Sequence, residues 1–404
     1  MFAEGRVKAM EKTGTHHFIP RLSILFILTV SAGIGNENYL SAQQIVENPA
    51  SPVAKNAGRV VVLKEVLRIK DEGEAYYFKY PYNLRVRGDG AIFVQEQEQL
   101  LHFDKDGGFV RNYFKKGQGP GEMVFCGDFI PADKTLVVLS SSPPKILWFD
   151  QEGLVVKEFA YRTNIRGGMK LVRQTESEYL LSGSDSPFLN LPKNPSINDW
   201  IFHLFSLKER EETIKECGTF PVRAFIIPSS GGGGGIIPVN SFIAVPAGDG
   251  RILVSHTPEY LIKLYDPASN KVILQFRRSY ERVKPDPNAA KRGGVNIGGK
   301  SYTSAPVKYT ADVANLFVVG DRFWVVTSTV DPAKGVLIDV FDKSGRYLDH
   351  FFLKFPDGSL LKTLGLNQTA VLNGHVFALS LTEDDTYAVV KYRIEDSAAG
   401  GPIK

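Results

Sequence analysis

The residues best suited to chemistry in this chain are basic, and they gather in one glycine-containing stretch. Between positions 277 and 308 there are eight lysines and arginines but two acidic residues. Guanidinium groups match the planar oxygens of carboxylates and phosphates, and ammonium groups attract any anion. The sequence therefore predicts binding of an anionic group of a polysaccharide, peptide or phospholipid, with a solvated loop as the alternative. The predicted ligand-binding residues are Arg277, Arg278, Arg282, Lys284, Arg292 and Lys300.

Other reactive residue types lack the spacing that catalysis or metal binding requires. Residues 294–301 carry the letters of a phosphate-binding loop, but Pro306 follows where that loop needs a helix. No GxSxG motif is present, and the histidines are not paired at metal-ligand spacing. We therefore predict no catalytic residues, no metal and no cofactor. The histidines beyond the first 42 residues are His102, His203, His256, His350 and His375.

Charge and cysteine content exclude several classes of protein. The formal net charge is +4 over 404 residues, which is too small an excess to indicate a nucleic-acid partner. Cys126 and Cys217 have no metal-ligand spacing and are too few for a disulfide framework. Two buried thiols are the favoured interpretation, and a single disulfide between them is the alternative.

The first 42 residues are typical of a secretory signal. Lys12 and Arg21 precede the apolar run LSILFILTV at 22–30, and small residues follow it. We predict a signal peptide over 1–42, with Met10 as an alternative start, and export to the periplasm or the cell exterior. No cysteine lies near the cleavage region for lipid attachment, and we expect no transmembrane span after signal removal. Residues 43–58 are predicted to be a flexible linker.

A unit of two apolar runs around a tight turn recurs six times after residue 80. The turns contain Gly, Asp or Asn, which tolerate the positive φ angles of hairpins. A third run follows every unit, and a fourth follows five of them, so each unit predicts a four-stranded antiparallel sheet. Such a sheet repeated radially is a blade of a β-propeller. The runs after the turns are AIFV at 91–94, TLVVL at 135–139, EYLL at 178–181, RILV at 251–254, RFWVV at 322–326 and HVFAL at 375–379.

The sixth unit lacks a fourth strand of its own. The strand-like run VVVLKEVLRI at 60–69 has no local partner, so we predict that it completes the last blade and closes the ring. The prediction is an all-β, six-bladed propeller over 59–396, with a disordered tail over 397–404. A seven-bladed ring and an open solenoid are the alternatives.

Insertions interrupt the repeat in its middle third. They cover residues 184–200, 220–240 and 277–312, and the second contains five consecutive glycines. Insertions in repeat proteins usually form loops on one face, which is often the binding face. We therefore expect a site where 220–240 and 277–308 gather.

The segment KKGQGPGEM at 115–123 follows an aromatic-Asp turn and a strand. This combination resembles the bacterial exported six-bladed β-propeller family related to NHL-repeat proteins, in which a GxGPGEF-type segment links successive blades. Here Met123 stands where Phe is usual. The resemblance covers about residues 60–394 and implies a fold rather than a chemistry, since most members have no defined function. The segment's own residues, predicted to be structural, are Gly117, Gln118, Gly119, Pro120, Gly121 and Glu122.

Two functional hypotheses follow. The first is an extracytoplasmic binding or recognition module, expected to be monomeric, whose partner is a protein or a carbohydrate. The absence of a catalytic motif favours this hypothesis. The alternative is a lyase or hydrolase that uses residues from several blades at the channel mouth, which a linear sequence would not reveal.

Overall fold

Every regular element of the described chain is a β-strand, and most of the strands pair antiparallel. The computed structural model describes residues 45–162, 169–175, 178–186, 191–208, 214–229, 234–286, 295–297, 299–302, 304–356, 359, 361, 363–382 and 385–395. The predicted signal peptide, the predicted tail and Arg292 lie outside these residues. No helix within these ranges is long and apolar enough to cross a membrane.

The first half of the chain forms two leading strands and three sheets. The leading strands are β1 (Ile45–Asn48) and β2 (Arg59–Ile69). Blade 1 contains β3 (Tyr82–Val86), β4 (Ile92–Glu96), β5 (Gln99–Phe103) and β6 (Phe109–Asn112). Blade 2 contains β7 (Phe125–Pro131), β8 (Leu136–Ser142), β9 (Pro144–Phe149) and β10 (Val155–Ala160). Blade 3 contains β11 (Lys170–Gln174), β12 (Glu178–Ser184), β13 (Ser196–Lys208), β14 (Lys215–Pro228) and the added strand β15 (Gly234–Pro238).

The second half completes the set of six sheets. Blade 4 contains β16 (Ile243–Gly248), β17 (Arg251–Ser255), β18 (Ile262–Asp266) and β19 (Lys271–Arg278). A small hairpin of β20 (Val295–Ile297) and β21 (Lys300–Tyr302) separates it from the next blade. Blade 5 contains β22 (Val313–Val319), β23 (Arg322–Asp331), β24 (Gly335–Asp342) and β25 (Tyr347–Lys354). Blade 6 contains β26 (Thr369–Leu372), β27 (His375–Leu381) and β28 (Tyr387–Glu395).

The six sheets form a closed ring around a central channel. The first strands of the blades contact one another in the order β3, β7, β11, β16, β22 and β26, and β26 returns to β3. Within each blade the strands pair antiparallel in chain order. This arrangement confirms the predicted six-bladed propeller.

Apolar cores lie between neighbouring blades rather than within one of them. Phe93 of blade 1 packs in the same cluster as Phe129 of blade 2, and Phe323 of blade 5 packs with Ile262 of blade 4. Equivalent clusters join the other four pairs. Because both faces of a blade are covered, its strands are nearly continuous apolar runs rather than alternating ones. Cys126 and Cys217 are buried in these cores and are not paired with each other.

Strand β2 closes the ring, as the unpartnered run at 60–69 predicts. It pairs antiparallel with β28, from Val62 opposite Glu395 to Ile69 opposite Val389. Its first residues also pair parallel with β25 of blade 5, from Arg59 to Val62. The single strand therefore bridges the outer edges of two blades and leaves neither edge open for pairing with another chain.

The prediction of a flexible linker over 43–58 is wrong where the structure describes that segment. Strand β1 pairs parallel with β19 on the outer edge of blade 4, and the Asn48 side chain bonds both Arg277 O (3.0 Å) and Gly345 O (2.9 Å). Farther on, the backbone of Gly58 bonds His350 O. Free edge strands of the ring supply these partners, and no local sequence pattern signals them. The polar composition of the segment therefore gave no indication that it contains an ordered strand.

Two predicted insertions extend strands rather than forming separate loops. Residues 196–200 lengthen β13, and 220–228 lengthen β14, so the two strands form a long ribbon with β15 at its edge. The ribbon has its own small core, in which Phe225 and Ile227 pack with Ala305 of the third insertion. This satellite core brings the insertions together beside blade 4.

Candidate functional site

A cleft of about 520 Å³ lies where the ribbon of blade 3 meets the third insertion. The ribbon supplies one wall, the segment after β17 supplies the floor, and the insertion supplies the opposite wall. The cleft lies between residues of the second and third insertions, the two segments around which a site is expected from the sequence. The lining side chains that the following paragraphs use are Asp199, Arg223, His256, Glu259, Arg282 and Lys308, together with Tyr309.

The ribbon wall holds one ion pair by strand register. Asp199 of β13 lies directly opposite Arg223 of β14, and the Arg223 Nε atom is 3.4 Å from the Asp199 carboxylate. Both side chains are about half exposed. Asn240 anchors this wall, because its Oδ1 accepts from Arg223 N and its Nδ2 donates to His256 O. The wall is therefore fixed to blade 4 by buried polar contacts.

Arg282 forms the far side of the cleft and is held by several partners. Its Nε donates to Asp312 Oδ1 at 2.9 Å, its Nη2 donates to Pro258 O at 3.1 Å, and Glu259 lies 3.6 Å away. Burial raises the pKa of the Asp312 carboxyl, and the hydrogen bond from Arg282 opposes that rise. Arg282 is thus a rigid cation at the cleft wall, positioned before any ligand arrives.

An aromatic ring lies close to two cations on the same wall. The Arg282 guanidinium is 5.1 Å and the Lys308 ammonium is 5.2 Å from the centre of the Tyr309 ring. Lys308 is exposed, and within the described part of the chain it has no ion-pair partner. The wall therefore presents a flat ring with positive charge nearby, an arrangement suited to a flat, negatively charged ligand.

The structure separates the predicted basic residues into different environments. Arg277 pairs with Glu47 of β1, whereas Arg278 is buried against Asp339. Lys284 is exposed, and Lys300 lies 5.2 Å from the ring of Tyr302. Of the predicted set, Arg282 is the residue that lines the cleft. Whether Arg277, Arg278, Lys284 and Lys300 contact a ligand stays a prediction, and Arg292 lies outside the described residues.

Sequence reasoning missed Arg223 and did not select Lys308. Arg223 lies in the part of β14 that reads as a loop insertion in the sequence, so its place opposite Asp199 depends on a register that the sequence alone does not give. Lys308 lies in the basic stretch, but Pro306 and the mixed polar and apolar residues around it give no periodic pattern. The alternation of apolar residues at 220–227 is the one signal that would have indicated a strand there.

The GPGE segment forms a tight turn between blade 1 and blade 2. Gly119 O accepts from Glu122 N at 3.1 Å, and Gly121 has φ of +73°, so the four residues form a type II turn. The Glu122 carboxylate accepts from Gly119 N at 3.0 Å. Glu158 accepts from Gly121 N at 2.8 Å, which fixes the turn to blade 2. The segment is a blade connector and lines none of the cavities described here.

The central channel is a second cavity, of about 420 Å³, lined by residues of all six blades. Its charged side chains are Arg85, Asp128 and Lys170. Arg85 lies 3.3 Å from Asp128, and Lys170 donates to Gly127 O at 3.0 Å. Among the described residues no group of three His, Cys, Asp or Glu is placed to hold a metal ion. The described channel thus offers one carboxylate and no convergent set of acids and bases.

Comparison with known families agrees with this architecture. Residues 71–176, which span blade 1, blade 2 and the start of blade 3, match the model of a family described as a 6-bladed beta-propeller. The chain is a six-bladed β-propeller. The further expectation that this propeller is related to NHL-repeat proteins stays a prediction. No curated protein matches the chain.

Solved structures extend the likeness to nearly the whole propeller. A member of the duf4221 family from Bacteroides vulgatus is 9% identical, with 84% of this chain and 99% of its own covered, and the TM-score is 0.51. A Bacteroides fragilis protein described as exported is 12% identical, with 87% and 100% covered, and the TM-score is 0.47. Identities this low concern the fold alone.

Proposed function

We propose that this propeller is an extracytoplasmic binding module that takes an anionic ligand in the cleft between the ribbon and the third insertion. The observation that carries the proposal is the wall on which the Tyr309 ring lies close to both Arg282 and Lys308. Cations at this wall attract the charge of a ligand, and the ring provides a surface for stacking. Of the ligands the sequence suggests, an acidic oligosaccharide matches this combination best.

Preorganisation supports a role in binding. Arg282 is fixed by Asp312 and by backbone carbonyls, so its side chain loses little conformational freedom when a ligand arrives. The cleft volume is within the usual range for small-molecule sites, roughly 300–1,000 Å³. Residues of three separate segments form the cleft, which is typical of a loop site on a rigid scaffold.

The extracytoplasmic location is part of the same proposal. It is supported by the positive residues Lys12 and Arg21 before the apolar run at 22–30, and by the small residues after that run. Expression of the full chain in a Gram-negative host, followed by fractionation and N-terminal sequencing, tests it. We expect a processed product outside the cytoplasm, and an intact cytoplasmic chain would contradict this part of the proposal.

Binding is tested with oligogalacturonate, a chondroitin sulfate oligosaccharide, poly-glutamate peptide and a neutral galactose oligomer as probes. We expect acidic oligosaccharides to bind, with affinity that decreases as salt increases, and the neutral oligomer to bind more weakly. Lys308→Glu reverses an exposed charge beside the ring, so it is expected to weaken binding about fivefold, equivalent to roughly 1 kcal/mol.

Lys343→Glu is the matched control, because Lys343 is exposed in the β24–β25 turn and does not line the cleft. It makes the same change in net charge and is expected to leave the affinity unchanged. Equal losses in both variants would mean that net charge rather than the cleft attracts the probes. Preferential binding of poly-glutamate would indicate that the ligand is an acidic peptide rather than a saccharide. Equal binding of the neutral oligomer would overturn the proposal.

A further inference from the structure

A separate cavity of about 430 Å³ lies between blades 3 and 4, and a lysine is part of its wall. Residues of β14 form one side, and Lys263, Tyr265 and Val272 of blade 4 form the other. Lys263 is half-buried in β18, and the residues before and after it in that strand, Ile262 and Leu264, are apolar. A charged side chain at this position of a blade requires a partner or a role.

The partner that the structure gives to Lys263 carries no negative charge. The Lys263 ammonium donates to His256 Nε2 at 2.8 Å. The other ring nitrogen, His256 Nδ1, lies 2.9 Å from Pro221 O, a carbonyl that can only accept, so Nδ1 carries the proton. Nε2 is then the acceptor for the ammonium group, and the imidazole is neutral. Burial also lowers the pKa of His256, which agrees with the neutral form.

Carboxylates near the cavity do not compensate the lysine. Glu216 lines the same cavity, but its carboxylate is bound to His203 Nδ1 at 2.8 Å. Within the described ranges no carboxylate lies within ion-pair distance of the Lys263 ammonium. Burial lowers the pKa of Lys263, as it does for an ammonium group without a counter-ion.

Other polar groups line the same cavity. Asn270 is in contact with the Tyr265 hydroxyl through its Oδ1, which leaves its amide nitrogen as a donor. Thr219 is exposed at the cavity wall and adds a hydroxyl group. Phe220 and Val272 provide apolar surface beside these donors. A cation, an amide donor and a small apolar wall together suit the carboxylate of a small organic acid.

We propose that the cavity between blades 3 and 4 is a binding site for a small carboxylate, which pairs with Lys263. The ligand supplies the negative charge that the protein does not place beside this lysine. The inference does not depend on the proposed function of the cleft, since the two cavities share His256 and Pro221 as a common wall but use different cations.

The test uses acetate, propionate and benzoate, with chloride at matched ionic strength as the reference. Reductive methylation of the wild-type protein, read by peptide mass spectrometry, reports how accessible the Lys263 amine is. We expect at least one carboxylate to slow labelling of Lys263 by about threefold or more, while the exposed Lys343 is unaffected. Unchanged labelling of Lys263 with all three acids would overturn the proposal.

Lys263→Met retains the apolar stem of the side chain and removes its charge. We expect carboxylates to raise the melting temperature of the wild-type protein and to have no such effect on this variant. The wild-type effect should weaken as pH rises towards 10.5, at a lower pH than for an ordinary lysine, because only the ammonium form attracts the ligand. An equal carboxylate effect in Lys263→Met would contradict the proposal. Lys308→Glu should leave protection of Lys263 intact, which separates this site from the cleft.

Discussion

Two connections each join the last strand of one blade to the first strand of the next, but their structures differ. Residues 113–124 join blade 1 to blade 2, and residues 279–312 join blade 4 to blade 5. The short connection is organised by its own type II turn and by Met123, which is fully buried. The long connection follows Arg278, which pairs with Asp339 of blade 5, and it ends at Asp312, which pairs with Arg282 within the connection itself.

The two connections differ in where their stabilising contacts come from. The Glu122 carboxylate bonds Gly119, three residues away, so the short connection depends largely on neighbours in the sequence. Arg278 instead pairs with Asp339, 61 residues away, and the hydroxyl groups of Tyr260 and Tyr347 donate to the same carboxylate. Burial, and then the charge of Asp339, raise the pKa of Tyr260. A long connection therefore relies on a buried polar network that crosses two blades.

The largest expected effect is on that network. Arg278→Met leaves the Asp339 carboxylate buried without its cation, and breaking such a pair on one side costs about 3–5 kcal/mol. We expect the free energy of unfolding, measured by chemical denaturation, to decrease by this amount. Arg278 also lies within 5.4 Å of the ring centres of Tyr260, Tyr280 and Tyr347, so a loss of packing contributes.

Lys105→Met provides the comparison in blade 1. Lys105 pairs with Asp106, and both side chains are more than half exposed, so the variant is expected to leave the free energy of unfolding nearly unchanged. A second variant, Arg278→Met with Asp339→Leu, removes both charges and should recover part of the loss. If the single and double variants were equally stable, the buried pair would not be what fixes the long connection.

The same contrast explains how much the sequence could predict. The turn at 119–122 and the strand bounds of blades 1 and 2 were predictable, because Pro, Gly and apolar runs act over a few residues. The closing strand at 60–69 was predictable by counting, since the sixth unit lacked a partner. Strand β1 at 45–48 was not predictable, because its partner strand is far away in the chain. The same holds for the ion pairs of Arg277, Arg278 and Arg282. Basic residues in a long insertion look free in a sequence, whereas here three of them are held by carboxylates.

A smaller effect is expected from the turn of the short connection. Gly121 has φ of +73°, and a Cβ atom there would lie 2.8 Å from Val155 Cγ2 of blade 2. Gly121→Ala combines backbone strain with this close contact and is expected to lower the free energy of unfolding by about 2 kcal/mol. The matched control is Gly88→Ala, where a Cβ would meet nothing within 4 Å and φ is not positive. The control should be neutral or slightly stabilising, and a similar loss in both variants would show that the turn geometry is not the cause.

The smallest effect separates charge from hydrogen bonding within the same turn. Gly117 leaves room for the Glu122 carboxylate, since a Cβ at that position would overlap it, and the carboxylate accepts from Gly119 N at 3.0 Å. Glu122→Gln retains an acceptor oxygen, so we expect a loss of about 0.5–1 kcal/mol, the difference between a charge-assisted and a neutral bond. Glu122→Ala removes the acceptor and should cost more. Because the turn bonds its own backbone, neither variant should change binding of the acidic probes in the cleft. A change in that affinity would mean that the short connection is coupled to the insertions of the middle blades. It would contradict the conclusion that the contacts of the short connection are local.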